Sequence, residues 1–269
     1  MTIADFPVNY DELEPSYDRF EKLCGTSGEA GNLNGKPVAG GNVFEGSRSA
    51  AYPNRPLVTS PTGTLFAKAA ASLGYHPYPV PVSNMSAAYT NPEGAQLDPC
   101  VYCGHCDRFG CVANAKASPN NTLHPALLAD PNVELRCDAW VKDLAFDRGA
   151  RKVSAVRYVD TKTGAEFEQP AGIVVLAGYV FTNTLLMLLS GIGKPYDPAT
   201  GTGVVGKNYC YQVTTKVGVF LPDEAIEPWR GTGNSGAAID DFNGDNFDHA
   251  GLGFLGGALI FGSSPDRRP

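Results

Sequence analysis

Four of the chain's seven cysteines fall within one short run, Cys100-Val-Tyr-Cys103-Gly-His-Cys106-Asp-Arg-Phe-Gly-Cys111. Thiolates this close, with small and turn-forming residues between them, can converge on one inorganic centre. The gaps of two, two and four residues nearly reproduce a run that holds iron–sulfur clusters, in which the last gap is three and a proline follows. Here Val112 follows. A structural zinc site is the second reading, although zinc usually takes two separated Cys-x-x-Cys pairs. Disulfides or plain buried thiols are the third. His105 lies inside the run and is expected to face solvent. Cys24, Cys137 and Cys210 are sparse, and each is expected to be a small buried apolar residue rather than a ligand.

Other motif matches fail on context. Gly201-Thr-Gly203-Val-Val-Gly206 fits G-x-G-x-x-G, but that fingerprint should follow a buried strand and open a helix, and the stretch before it is Pro195-Tyr-Asp-Pro198. Gly231-Thr-Gly233-Asn-Ser-Gly236 fails the same test. Asp241-Phe-Asn243-Gly-Asp245 opens like a calcium loop but has Asn246 at the sixth position and Leu252 at the twelfth, where Gly and Glu belong. No Ser–His–Asp order or paired carboxylates can be argued, so no catalytic residue is assigned.

The elements that must position the cysteines are legible in outline. Asp11 to Cys24 repeats Leu13, Tyr17, Phe20 and Cys24 on one helical face, with Asn9 or Asp11 as cap, Pro15 near the first turn and Gly25 as terminator. Ser60-Pro61 opens a second helix that ends before Gly74. Tyr78 to Val82 is extended and too proline-rich for a central strand. Pro119 to Leu128 is a short helix. Val133 to Arg136 and Trp140 to Phe146 read as strands, and Val153 to Asp160 pairs with Ala165 to Gln169 across Thr161–Gly164. Ile173 to Ala177 is a continuous apolar run, expected to be a strand covered on both faces. It passes through Gly178 into an apolar helix from Thr182 to Leu189. Strand, small residue and helix form half of a nucleotide-binding unit. From Asn208 onward the chain reads as β-like and loop-rich, through Val213 to Phe220 and Ala258 to Phe261.

With 269 residues and a formal charge of −7, the chain can bury a core and is a poor match for nucleic acid or an anionic membrane. No apolar run approaches the ~20 residues that span a bilayer, and the N-terminus reads as lacking a signal peptide.

The cysteine run with Ala115-Lys-Ala-Ser-Pro119, the segment Ile173 to Gly178, and Leu185-Leu-Met-Leu-Leu-Ser-Gly-Ile-Gly193 resemble the glucose–methanol–choline (GMC) flavin oxidoreductases. More narrowly they resemble the large flavoprotein subunit of gluconate 2-dehydrogenases and related sugar or polyol dehydrogenases. Leu23-Cys-Gly-Thr-Ser-Gly28, Gly40 to Gly46 and Pro195 to Gly206 resemble the same branch. The resemblance implies FAD as cofactor and oxidation of a sugar, sugar acid or polyol hydroxyl. It further implies a three-iron rather than a four-iron cluster, a c-type cytochrome subunit and a small subunit as partners, and the periplasmic face of the inner membrane as location. Cys100, Cys106 and Cys111 match the three cluster ligands, with Cys103 a fourth ligand or a neighbour. Val141, Ala177 and Gly178 match cofactor-binding positions.

The expected fold is mixed α/β, a partial GMC-type FAD-binding fold lacking the first Rossmann βαβ, followed by the beginning of an antiparallel-sheet substrate domain. Residues 1–206 fall to the first, with the cysteine loop at 98–118, and 207–262 to the second; 263–269 form an unstructured tail. The family's phosphate loop and its terminal catalytic histidine have no counterpart in the sequence, and its Asp-His pair is Tyr211-Gln212 here. The chain therefore reads as an internal fragment, inactive alone. A zinc-stapled binding module and a non-functional remnant are the rival readings.

Overall fold

The computed structural model describes residues 7–106, 109–223, 225–226, 231–232, 235–254 and 256–263. The tail expected at 263–269 lies outside them, apart from Ser263. The fold is mixed α/β with small antiparallel sheets. It forms two compact units, one of residues 134–219 and one of the segments on either side.

The first unit opens with α1 (Tyr10–Cys24). The Asn9 side chain accepts from the Glu12 amide at 3.0 Å and the Glu12 carboxylate accepts from the Asn9 amide at 2.9 Å, a reciprocal cap. Gly25, at φ 63°, ends the helix. Pro15 falls in the second turn rather than the first, so the Asp11 carbonyl lacks its usual helical donor. The short hairpin of β1 (Asn32–Leu33) and β2 (Lys36–Pro37) follows. Beyond it the buried Arg48 guanidinium pairs with Glu21 and Glu45, tying this loop back to α1.

The Ser60 hydroxyl caps α2 (Pro61–Ser72) by accepting from the Gly63 amide at 3.2 Å. Next come β3 (Tyr78–Pro79) and the hairpin of β4 (Tyr89–Thr90) with β5 (Gln96–Leu97). The expected helix at 119–128 is two pieces, α3 (Pro119–Thr122) and α4 (His124–Ala129), parted at Leu123. Pro125 has no N–H to return to Asn121, so one continuous helix would lose a bond there.

In the second unit β6 (Ala139–Asp147), β7 (Lys152–Asp160) and β8 (Glu166–Pro170) form an antiparallel sheet in that order. Helix α5 (Val180–Leu189) packs on β6, and the Ser190 hydroxyl accepts from the Leu144 amide at 2.9 Å. Residues 133–136 form no strand. Residues 173–177 form none either: Val174 and Leu176 are half-buried, while Ile173 is 88% and Val175 81% exposed. A strand covered on both faces needs neighbours on both sides, and none among the described residues pairs with this one. The stretch 213–220 is likewise unpaired, with Val213, Val217 and Phe220 each more than 80% exposed.

The chain returns to the first unit through β9 (Ala237–Ile239) and β10 (Ile260–Gly262), which join β3 in the order β10-β9-β3. The proline-rich β3 thus takes an edge, as its missing donors require. Helix α2 packs on β9 and β10. Gly63 permits this approach, since a Cβ there would lie 2.9 Å from the Gly236 Cα. Met85 and Leu97 are among the largest fully buried side chains of this unit.

Candidate functional site

The cysteine loop hangs from a short two-chain ladder. Asn84 bridges Lys116 in antiparallel fashion, with Met85 N–H donating to the Ala115 carbonyl and Ala117 N–H to that of Ser83, both at 2.8 Å. The Cys100 amide then donates to the Met85 carbonyl at 2.9 Å. One buried methionine therefore holds both ends of the loop through its own backbone. Tyr102, Gly104 and Asn114 take left-handed φ values of 54°, 77° and 52°, which fold the chain back on itself. The Lys116 ammonium donates to the carbonyls of Cys106 and Phe109, each at 2.7 Å. Asp107 and Arg108 lie outside the described residues.

The four sulfurs are not equivalent. Cys100 Sγ accepts from the Tyr102 amide at 3.4 Å, Cys106 Sγ from the Asn84 side-chain amide at 3.4 Å, and Cys111 Sγ from the Ala115 amide at 3.3 Å. These three are half-buried; Cys103 is exposed, and no described N–H is directed at its sulfur. Its backbone is instead held by a bridge to Gly231. Burial pushes the Cys100 thiol pKa up; the Tyr102 amide opposes this, and the other three cysteines reinforce it. His105 is exposed, edge-on to Phe109 at 5.8 Å, as expected of a loop histidine.

Among the described residues no three His, Cys, Asp or Glu side chains converge on a single ion. A tetrahedral zinc needs every sulfur about 2.3 Å from one point. A cluster of several irons is less demanding, since each thiolate can hold a different iron. A donor set of thiols in one loop, three of them met by N–H groups, fits the cluster chemistry.

In the second unit, Val141 is half-buried on β6 opposite Tyr158. Ala177 and Gly178 are exposed in the turn that enters α5. The Asn183 side chain braces this turn, its carbonyl accepting from the Gly178 amide at 2.9 Å and its amide donating to the Leu176 carbonyl at 3.0 Å. A Cβ on Gly178 would stand 3.4 Å from both Asn183 Oδ1 and Thr182 Cγ2. The turn is thus bare of side chain and open to solvent, which fits the close approach of a nucleotide cofactor to backbone. Gly201–Gly206 is a tight loop closed by bridges Pro195–Val205 and Asp197–Thr202, and no helix follows it.

Sequence reasoning missed Asn84, Lys116 and Asn183. Asn183 follows the small-residue turn at the start of a helix, where a side-chain brace is common, so a signal for it existed. Asn84 lies 22 residues before Cys106, and no periodicity links the two.

The GMC oxidoreductase family model matches residues 7–214. The gluconate 2-dehydrogenase flavoprotein of Pantoea cypripedii is 44% identical over 273 aligned residues, covering 100% of this chain and 44% of that protein. The 2-methyl-1,2-propanediol dehydrogenase of Mycolicibacterium austroafricanum is 28% identical, covering 84% of this chain and 38% of its own length. The 6'''-hydroxyparomomycin C oxidase of Streptomyces lividus is 29% identical, with coverage of 98% and 45%. The chain spans less than half the length of these relatives.

Proposed function

Because the chain belongs to the GMC oxidoreductases, we propose that it carries the cluster and part of the flavin site of a dehydrogenase acting on a sugar, sugar acid or polyol hydroxyl. In this reading residues 1–206 contribute to the FAD-binding part and 207–262 begin the substrate-binding part. Val141, Ala177 and Gly178 would lie against FAD, which when bound accepts hydride from the alcohol carbon. The backbone amide of Gly178 and the open entry to α5 would orient it, with Asn183 holding the turn in shape.

Cys100, Cys106 and Cys111 would hold a three-iron cluster. The observation that supports this is the 3+1 division of the sulfurs among the described residues, three met by N–H groups and Cys103 by no described one. The cluster would pass single electrons to a c-type cytochrome subunit, at the periplasmic face of the inner membrane and beside a small subunit. No described helix is long and apolar enough to cross a membrane. The exposed apolar side chains at 173–177 and 213–220 support a further element of the proposal, that turnover requires more polypeptide against the second unit.

Iron, acid-labile sulfide and zinc content of the anaerobically purified chain, with an EPR spectrum of the oxidised sample, tests the reading. Iron with matching sulfide and a three-iron signal is expected. Zinc without iron would replace it with a stapled binding module, and a metal-free aggregate with a non-functional remnant.

A further inference from the structure

We infer that Asn84 is a positioning residue that raises the reduction potential of the cluster through the sulfur of Cys106; this rests on the iron–sulfur reading above. Asn84 is 4% exposed, and its side-chain amide donates to Cys106 Sγ at 3.4 Å. Of the three described N–H groups that meet the cysteine sulfurs, it is the one supplied by a side chain and from outside the loop.

Its backbone is fixed from several sides. The Asn84 backbone carbonyl accepts from the buried Ser27 hydroxyl at 2.6 Å, and that hydroxyl accepts in turn from the Ser86 amide at 3.1 Å. The bridge to Lys116 holds the backbone. Lys116 in turn holds the Cys106 carbonyl with its ammonium. Cys106 is thus met at its sulfur by Asn84 and at its carbonyl by Asn84's ladder partner.

The electrostatic consequence follows from charge. Reduction adds an electron to the cluster, and part of that charge resides on the ligand sulfurs. A donor N–H directed at a sulfur stabilises the more negative state and raises the potential. A buried donor does so more strongly, because little water is present to replace it. Backbone donors to Cys100 and Cys111 cannot be altered by substitution, whereas this one can.

The test begins with iron and sulfide on the anaerobic wild-type chain; their absence overturns the cluster reading and this inference with it. With the cluster present, EPR-monitored redox titrations compare the wild type with Asn84→Leu, Asn84→Asp and Ser83→Ala. Asn84→Leu removes the donor at similar volume and is expected to lower the midpoint potential. Asn84→Asp sets a carboxylate against the sulfur and is expected to lower it further. Ser83→Ala removes the neighbouring hydroxyl, which pairs with that of Thr26 at 3.1 Å, without touching the Cys106 sulfur, and should leave the potential unchanged. Equal potentials in all four proteins, or an equal shift in the Ser83 variant, would overturn the assignment. Should neither Asn84 variant fold, pulsed EPR of wild-type protein carrying 15N in the asparagine side-chain amide decides. A coupled nitrogen that changes with labelling supports the assignment, and its absence rejects it.

Discussion

The guanidinium carbon of Arg48 lies 3.9 Å from the centroid of the Tyr52 ring, and its nitrogens pair with Glu21 on α1 and Glu45 in the loop. Burial alone would lower the Arg48 pKa, but the hydrogen bond it donates to Glu21, with Tyr52 and Glu45 adding to the effect, raises it. Burial, joined by Glu45, pushes the Tyr52 hydroxyl up. Removing the cation strands two largely buried carboxylates, which typically costs about 3 kcal/mol or more. Arg48→Leu is therefore expected to lower the urea unfolding midpoint sharply. Arg48→Lys should recover only part of the loss, because an ammonium lacks the planar fork that meets both Glu21 oxygens while also reaching Glu45. Wild-type stability in Arg48→Leu would show that the network adds nothing.

Substituting the cysteines one at a time should separate them. Cys100→Ala, Cys106→Ala and Cys111→Ala are each expected to purify without stoichiometric iron. Cys103→Ala should retain both iron and its EPR signal. Equal loss in all four would make Cys103 a fourth ligand.

Tyr78 on β3 gives the chain an alkaline limit. Its hydroxyl is pushed up to about 12 by burial, with Asp240 and Glu45 adding to the effect, from an ordinary value of 10.0. The folded state binds this proton more tightly than the unfolded state, so the stabilisation is complete below pH 10 and is lost as pH rises toward 12. Urea midpoints between pH 9 and pH 12 should fall for the wild type and fall less steeply for Tyr78→Phe. Parallel slopes would place the titration elsewhere.

Asn183→Ala removes both bonds that brace the turn before α5. Each is worth about 1 kcal/mol, and because the turn is exposed the effect should be local. The Gly178 amide is expected to exchange with deuterium markedly faster, with little change in global unfolding. Unchanged exchange would mean that the turn holds its shape without Asn183.

Much of this fold is legible in sequence because the deciding interactions are local. Asn9 and Glu12, or Ser60 and Gly63, lie within one turn of each other, and their caps are written in adjacent residues. The hairpin of β7 and β8 is equally local, with Asp160 and Gly164 closing it. The cysteine run shows by spacing alone that four thiols share one loop, while leaving the chemistry they serve open. What stays hidden depends on distant partners. Residues 173–177 have the composition of a buried strand, but composition cannot supply neighbours. Asn84 is one asparagine among many until the ladder with Lys116 brings it to Cys106.

The bridge from Cys103 to Gly231 joins positions roughly 130 residues apart in the chain. At typical synthesis rates of about 5–20 residues per second, Gly231 leaves the ribosome roughly 6–26 s after Cys103. The tethers of the other three sulfurs, at Asn84, Tyr102 and Ala115, emerge almost together with them. The nascent chain therefore offers a three-thiol loop well before Cys103 is fastened down. Under the proposed cluster reading, metal delivered during synthesis would meet a loop whose odd cysteine is still loose, and the order of translation would become part of how the site is assembled.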